Sequence, residues 1–158
     1  MTTARTICRV RPVRLSDAGA IADLLTPIIA DRGLTAMTGI MTVPDQESFI
    51  RTLPPRSVYL AAIDDATDIL LGIQDCLPVQ NQPLLCDIST FVSQKAPRRG
   101  VGNALFTETM TLLETLGFRM IRAVIREENA AARAFYRGLG FVETETASRM
   151  VTAFFELD

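Results

Sequence analysis

Two glycines and two arginines crowd the junction between an apolar run and a helical pattern. The run, Leu84 to Val92 (Leu-Leu-Cys-Asp-Ile-Ser-Thr-Phe-Val), reads as a strand, and the pattern places Val101, Leu105, Leu112 and Leu116 at helical spacing up to Gly117. The intervening residues Arg98, Arg99 and Gly100, with Val101, Gly102 and Asn103, therefore form a strand-to-helix turn. Such a turn suits a diphosphate. Glycine lets an anion approach the backbone, the first N–H groups of a helix have no intrahelical partner, and the helix dipole is positive there. A tight turn whose glycines serve only the bend would carry the same residues, because short glycine motifs recur by chance.

The chain has no histidine, which excludes Ser-His-Asp and Cys-His mechanisms and histidine-ligated metal sites. Acid–base chemistry falls to carboxylates, tyrosine, cysteine or water. Tyr136 follows Asn129 by two helical turns, so both can face one ligand. Asp87 lies on the 84–92 strand, where alternation puts Asp87, Ser89 and Phe91 on one side. An acid among Leu85, Cys86 and Ile88 is out of place unless it has a task or an arginine partner. Glu127 and Glu128, ahead of a helix cap, and Asp75, on the neighbouring strand, are rivals. Cys76 and Cys86 have no histidine, lysine or arginine beside them in sequence and read as structural.

These groups need a frame. A chain of 158 residues, 48% hydrophobic and 22% charged, fits one soluble domain spanning residues 1–158. A net charge of −2 gives no reason to expect nucleic acid or an anionic membrane. No apolar run is long enough to span a membrane, and Met1 to Arg5 lacks the stretch of a signal peptide. Three cysteines without CxxC spacing point to reduced residues of a cytoplasmic protein. No metal is expected.

The pattern predicts a strand over 7–13, then a helix capped by Ser16 with Ala20, Ile21, Leu24, Leu25, Ile28 and Ile29 inward and a kink or break at Pro27. Residues 32–43 read as irregular. A second helix opens at Pro44 and stops at Pro54-Pro55. Strands follow over 57–63, 69–77 and 84–92, with a polar loop over 78–83. After the helix at 100–116 come a strand over 118–125, a helix over 130–139 between Asn129 and Gly140, and closing strands at 141–144 and 149–156. This order is α+β. A doubly wound nucleotide fold would carry its glycine turn after the first strand, not the fourth.

On these residues the chain resembles the GNAT superfamily of acyl-CoA-dependent N-acyltransferases. Arg98-Arg99-Gly100-Val101-Gly102 is similar to the superfamily's pyrophosphate loop, and Asn129, Ala134-Phe135-Tyr136 and Leu139-Gly140-Phe141 to its later signature. Thr90-Phe91-Val92-Ser93 and Ala123-Val124-Ile125 look like the phosphinothricin acetyltransferase branch. The resemblance implies a mixed, mostly antiparallel sheet of six to seven strands, splayed at strands 4 and 5 and flanked by about four helices. It implies acetyl-CoA held by Arg98 to Asn103 and Asn129, with backbone N–H groups around Phe91 and Val92 polarising the thioester. Tyr136 would protonate the leaving thiolate, and Asp87, where the branch carries an acid, would be the base. One departure stands out: the motif's opening Gln or Arg is Pro97, which has no N–H to give a phosphate.

The implied reaction moves an acetyl group to the primary amine of a small, amino-acid-like molecule. Residues 26–53 and 78–83 should line the acceptor site, and they form no strongly acidic groove for a basic peptide. The alternatives are acetylation of a protein N-terminus or lysine, or an acyl-CoA-binding module without chemistry. A homodimer stays open.

Overall fold

The computed structural model describes residues 8–30, 42–95 and 100–158. Seven strands form one sheet: β1 (Cys8–Pro12), β2 (Val58–Asp64), β3 (Leu70–Val79), β4 (Gln82–Val92), β5 (Met120–Arg126), β6 (Val142–Ala147) and β7 (Met150–Glu156). Their order is β1-β2-β3-β4-β5-β7-β6. Every neighbouring pair is antiparallel except β4 and β5. The helices are α1 (Ala18–Ala30), α2 (Val43–Arg51), α3 (Val101–Thr115) and α4 (Ala130–Leu139). The expected α+β architecture, with its strand count and mostly antiparallel sheet, is met.

Both faces of the sheet are covered. Val58, Leu60, Ala62, Cys76, Cys86 and Ile88 turn towards α3 and α4. Tyr59, Ala61, Ile63, Ile73 and Phe91 turn towards α1 and α2. Strand β2 is accordingly buried at every position, as a strand covered on both faces must be.

Four local expectations need correction. Residues 78–83 are no loop: β3 and β4 meet in a tight hairpin, with Val79 opposite Gln82 and Asn81 at φ 64°. Asparagine tolerates that left-handed conformation, and Pro78 sits at the register shift, where a missing N–H costs least. Ser16 is not the cap of α1. A 3-10 turn over Leu15–Asp17 precedes the helix, and Asp17 accepts from the Arg14 N–H (2.7 Å) and from Arg11 (2.8 and 3.0 Å). Helix α1 runs through Pro27 without a break, because Pro27 and Asp23, whose carbonyl it leaves unserved, are both exposed. On α3 the core takes Leu113, fully buried, whereas Leu112 is exposed. The region 31–41 lies outside the described residues.

Candidate active site

Strands β4 and β5 run side by side for only three pairs, Leu85 with Met120, Cys86 with Ile121 and Asp87 with Arg122. Beyond them β4 stays bonded to β3 and β5 to β7, so the two strands part. An ion pair marks the last joined position: Arg122 Nε and Nη2 donate to the two Asp87 oxygens at 2.7 and 3.0 Å. The expected splay is therefore present. A cavity of about 300 Å³ occupies the region, lined from one side by Tyr136, Thr90 and Asn129 and from the other by Tyr59, Asp75 and Phe91.

The Ser93 N–H donates to the Leu71 carbonyl, so odd-numbered residues at this end of β4 turn their N–H groups to β3. Phe91 thus gives the cavity its side chain, not its N–H, while Thr90 and Val92 turn theirs towards the gap. That narrows the backbone donors expected near Phe91 and Val92 to the even positions.

Tyr136 is brought to the cavity by α4. The Asn129 Oδ1 caps the helix by accepting from Ala132 N at 3.0 Å, and Gly140, at φ 110°, ends it in the left-handed conformation that glycine adopts without strain. Arg133 pins α4 to β6 through two bonds to Glu143, at 2.8 and 3.0 Å. The Tyr136 ring packs edge-on against Phe135 and Phe141, and its hydroxyl donates to Thr90 Oγ1 at 3.0 Å. Gln74 Nε2 donates to the same oxygen at 2.9 Å. Burial pushes the Tyr136 hydroxyl well above its ordinary pKa, with the Thr90 hydrogen bond opposing. A phenol in that state keeps its proton at neutral pH, as a general acid must.

The carboxylates divide unexpectedly. Asp87 shares the face of Ser89 and Phe91, as alternation requires, but it is half-exposed, gives both oxygens to Arg122 and does not line the cavity. Asp75 does line it, between Tyr59 on β2 and Ser89 on β4. Burial, then the charge of Asp87, pushes the Asp75 carboxyl up to about 7. Sequence reasoning ranked Asp75 below Asp87. The available signal was an acid standing inside the apolar run Leu70–Leu77. Gln74, Thr90, Tyr59 and Gln46 were missed. Tyr59 donates to Gln46 Oε1 at 2.8 Å and so ties α2 to the cavity wall.

At the mouth of α3, Gly100 is the N-cap residue at φ 72° and gives no side-chain cap. The first ladder bond there runs from Ala104 N to Gly100 O, which leaves the N–H groups of Val101, Gly102 and Asn103 without intrahelical partners. Val101 has its side chain in the core, so only its backbone is available to a ligand; Asn103 is exposed. Gly102 has a second reason to be glycine: a Cβ there would lie 2.6 and 2.8 Å from two ring carbons of Phe135. It permits the close approach of α3 and α4 beside Tyr136. Pro97, Arg98 and Arg99 lie outside the described residues. Among the described residues no group of histidine, cysteine and acidic side chains is placed to hold a metal.

A family model described as acetyltransferase (GNAT) matches residues 35–141. The chain belongs to this family. It is an N-acetyltransferase, in line with its match to the phosphinothricin N-acetyltransferase of Streptomyces viridochromogenes, 23% identical over 149 residues that cover 92% of this chain and 80% of that protein. The fold is shared with a phosphinothricin acetyltransferase from Sinorhizobium meliloti solved with acetyl-CoA, at a TM-score of 0.84, 19% identity, and coverage of 96% of this chain and 89% of that one. It is shared equally with a GCN5-related N-acetyltransferase from Kribbella flavida, at 0.83, 23% identity, and coverage of 96% and 98%. These meet the resemblance to the family and to the phosphinothricin branch.

Proposed function

We propose that the protein transfers an acetyl group from acetyl-CoA to the primary amine of a small, amino-acid-like molecule, by direct attack with both substrates bound. One observation carries this reading: the cavity at the parting of β4 and β5 holds the Tyr136 hydroxyl on one side and an acid, Asp75, on the other. The α3 N–H groups, with Arg98 and Arg99, are assigned to the diphosphate, and Asn129 to the cofactor at the N-terminus of α4. The Val92 N–H is assigned to the thioester oxygen. As the thiolate leaves, Tyr136 supplies its proton.

The acceptor half of the cavity supports a small molecule. Leu25, Phe49, Ile73 and Leu77 give it an apolar body, and Asp75 offers a site for an ammonium; Arg126, which also approaches Glu128 at 3.8 Å, lines the same cavity. Gln46 and Phe49 come from the 26–53 region expected to line it and Leu25 lies just ahead of that region; residues of the 78–83 hairpin do not line the cavity. The same reading places the protein in the cytoplasm; among the described residues no helix is long and apolar enough to cross a membrane. A homodimer belongs to this reading and is testable by sedimentation. The deciding experiment is thiol release from acetyl-CoA in the presence of amino acids and simple primary amines, beside calorimetry with acetyl-CoA and with EDTA present. Absence of acetyl-CoA binding would refute the reading. Transfer only to peptide N-termini or lysines would replace the acceptor.

A further inference from the structure

Two carboxylates share one face of the sheet and meet opposite fates. Asp87 has both oxygens on the Arg122 guanidinium. Asp75, its diagonal neighbour across the β3–β4 ladder, lines the cavity and forms no hydrogen bond or ion pair among the described residues. A carboxylate placed that way is costly unless something cationic arrives. We infer that Asp75 is the residue that receives the acceptor's ammonium and takes its proton, with Asp87 acting on it as a negative charge fixed by Arg122. This rests on the acetyltransferase reading above and deepens it by naming the amine-binding base.

The surroundings fit the task. The other titratable or charged groups lining the cavity are Tyr59 from β2 and Arg126 from β5, with Tyr136 from α4 on the opposite side; Asp87 on β4 stands behind, with Arg122 from β5, and α2 brings the uncharged Gln46 and Phe49. The carboxyl is pushed up to about 7 by burial and then by Asp87. That narrows the gap to an alkylammonium of roughly 10.4 from over six units to about three. The proton therefore moves less far uphill, and the base is still charged in part at neutral pH.

The balance is simple. One ammonium proton passes to Asp75. The freed nitrogen lone pair forms the C–N bond at the thioester carbon, and the C–S bond breaks. The leaving sulfur takes the Tyr136 hydroxyl proton, and the second nitrogen proton replaces it on the tyrosine oxygen. Asp75 then gives its proton to solvent. An ammonium and a thioester become an amide, a thiol and one free proton.

The test is kcat/KM against pH for wild type, Asp75→Asn and Asp87→Asn, on whichever primary amine of an amino acid and alkylamine panel turns over. Wild type should show a limb near pH 7. Asp75→Asn should lose about 10²–10⁴-fold at pH 7 and recover as pH rises towards the amine's own pKa, while still binding acetyl-CoA by calorimetry. Asp87→Asn should keep the limb and move it to lower pH, because a neighbouring negative charge has gone. A wild-type profile for Asp75→Asn, or loss of the limb in Asp87→Asn, overturns the inference and leaves the acetyltransferase reading standing. Carboxyl 13C NMR needs no acceptor: Asp75 should titrate near 7, and titration in the ordinary carboxylate range overturns the assignment. Failure of the wild-type protein to bind acetyl-CoA is the separate result that removes the underlying reading.

Discussion

Asp75→Asn should make the protein more stable at pH 8 and leave its stability at pH 4 nearly unchanged. The folded chain holds the Asp75 proton up to about pH 7, whereas the unfolded chain releases it near 3.8. The native state therefore binds more protons across that window, and the Asp75 contribution to stability falls as pH rises through it. Below the window both states are protonated and nothing is lost; above it the full cost is present. A displacement of about three units at about 1.4 kcal/mol each sets a ceiling of about 4 kcal/mol. The cavity admits water, which screens the charge, so about 1–3 kcal/mol is expected. In a chain of this size that is a rise in Tm of roughly 3–10 °C at pH 8. Urea unfolding of both proteins at pH 4, 6 and 8 measures it, and the difference cancels the other titrating groups. A difference that is flat with pH, or largest at pH 4, would show that Asp75 is not held in a proton-retaining site. Asp75 would then lack the proton affinity that the amine base requires.

Three further outcomes are expected. Tyr136→Phe keeps the ring between Phe135 and Phe141 but removes the hydroxyl, so kcat should fall about 10²–10⁴-fold with little change in acetyl-CoA affinity; equal losses in both would mean a packing role. Gly102→Ala puts a methyl 2.6 Å from the Phe135 ring and should cost about 1–3 kcal/mol of stability, recovered in part by Phe135→Leu; a thermal melt decides it. Pro97→Gln restores the N–H that the family loop uses and should tighten acetyl-CoA binding by about 0.5–1.5 kcal/mol in calorimetry; unchanged affinity would mean the diphosphate is already satisfied.

Features carried by local spacing were legible in the sequence. Asn129 and Gly140 bracket α4 as their types require, and the glycine turn after the fourth strand ruled out the doubly wound alternative. What escaped was set by partners distant in the chain. The polar run Gln80-Asn81-Gln82 reads as a loop, yet Asn81 at positive φ closes a two-residue hairpin that lengthens both strands. Gly102 reads as a phosphate glycine, and nothing near it in sequence shows that Phe135 sits where its Cβ would be.

The ranking of Asp87 above Asp75 failed to anticipate the geometry for the same reason, and the physics is specific. Both acids lie in apolar strands, and alternation puts both on the face that carries α1 and α2. What separates them is the parallel register of β4 with β5, which sets Arg122 opposite Asp87 at the last joined pair. The same register ends the pairing there, so the strands part beside Asp75 and open the cavity onto it. A single register thus pairs one carboxylate with an arginine and leaves the other facing the cavity with no ion pair among the described residues. Shifting it by one residue would turn Arg122 to the opposite face. Asp87 would then be unpaired as well, and the sequence would look the same.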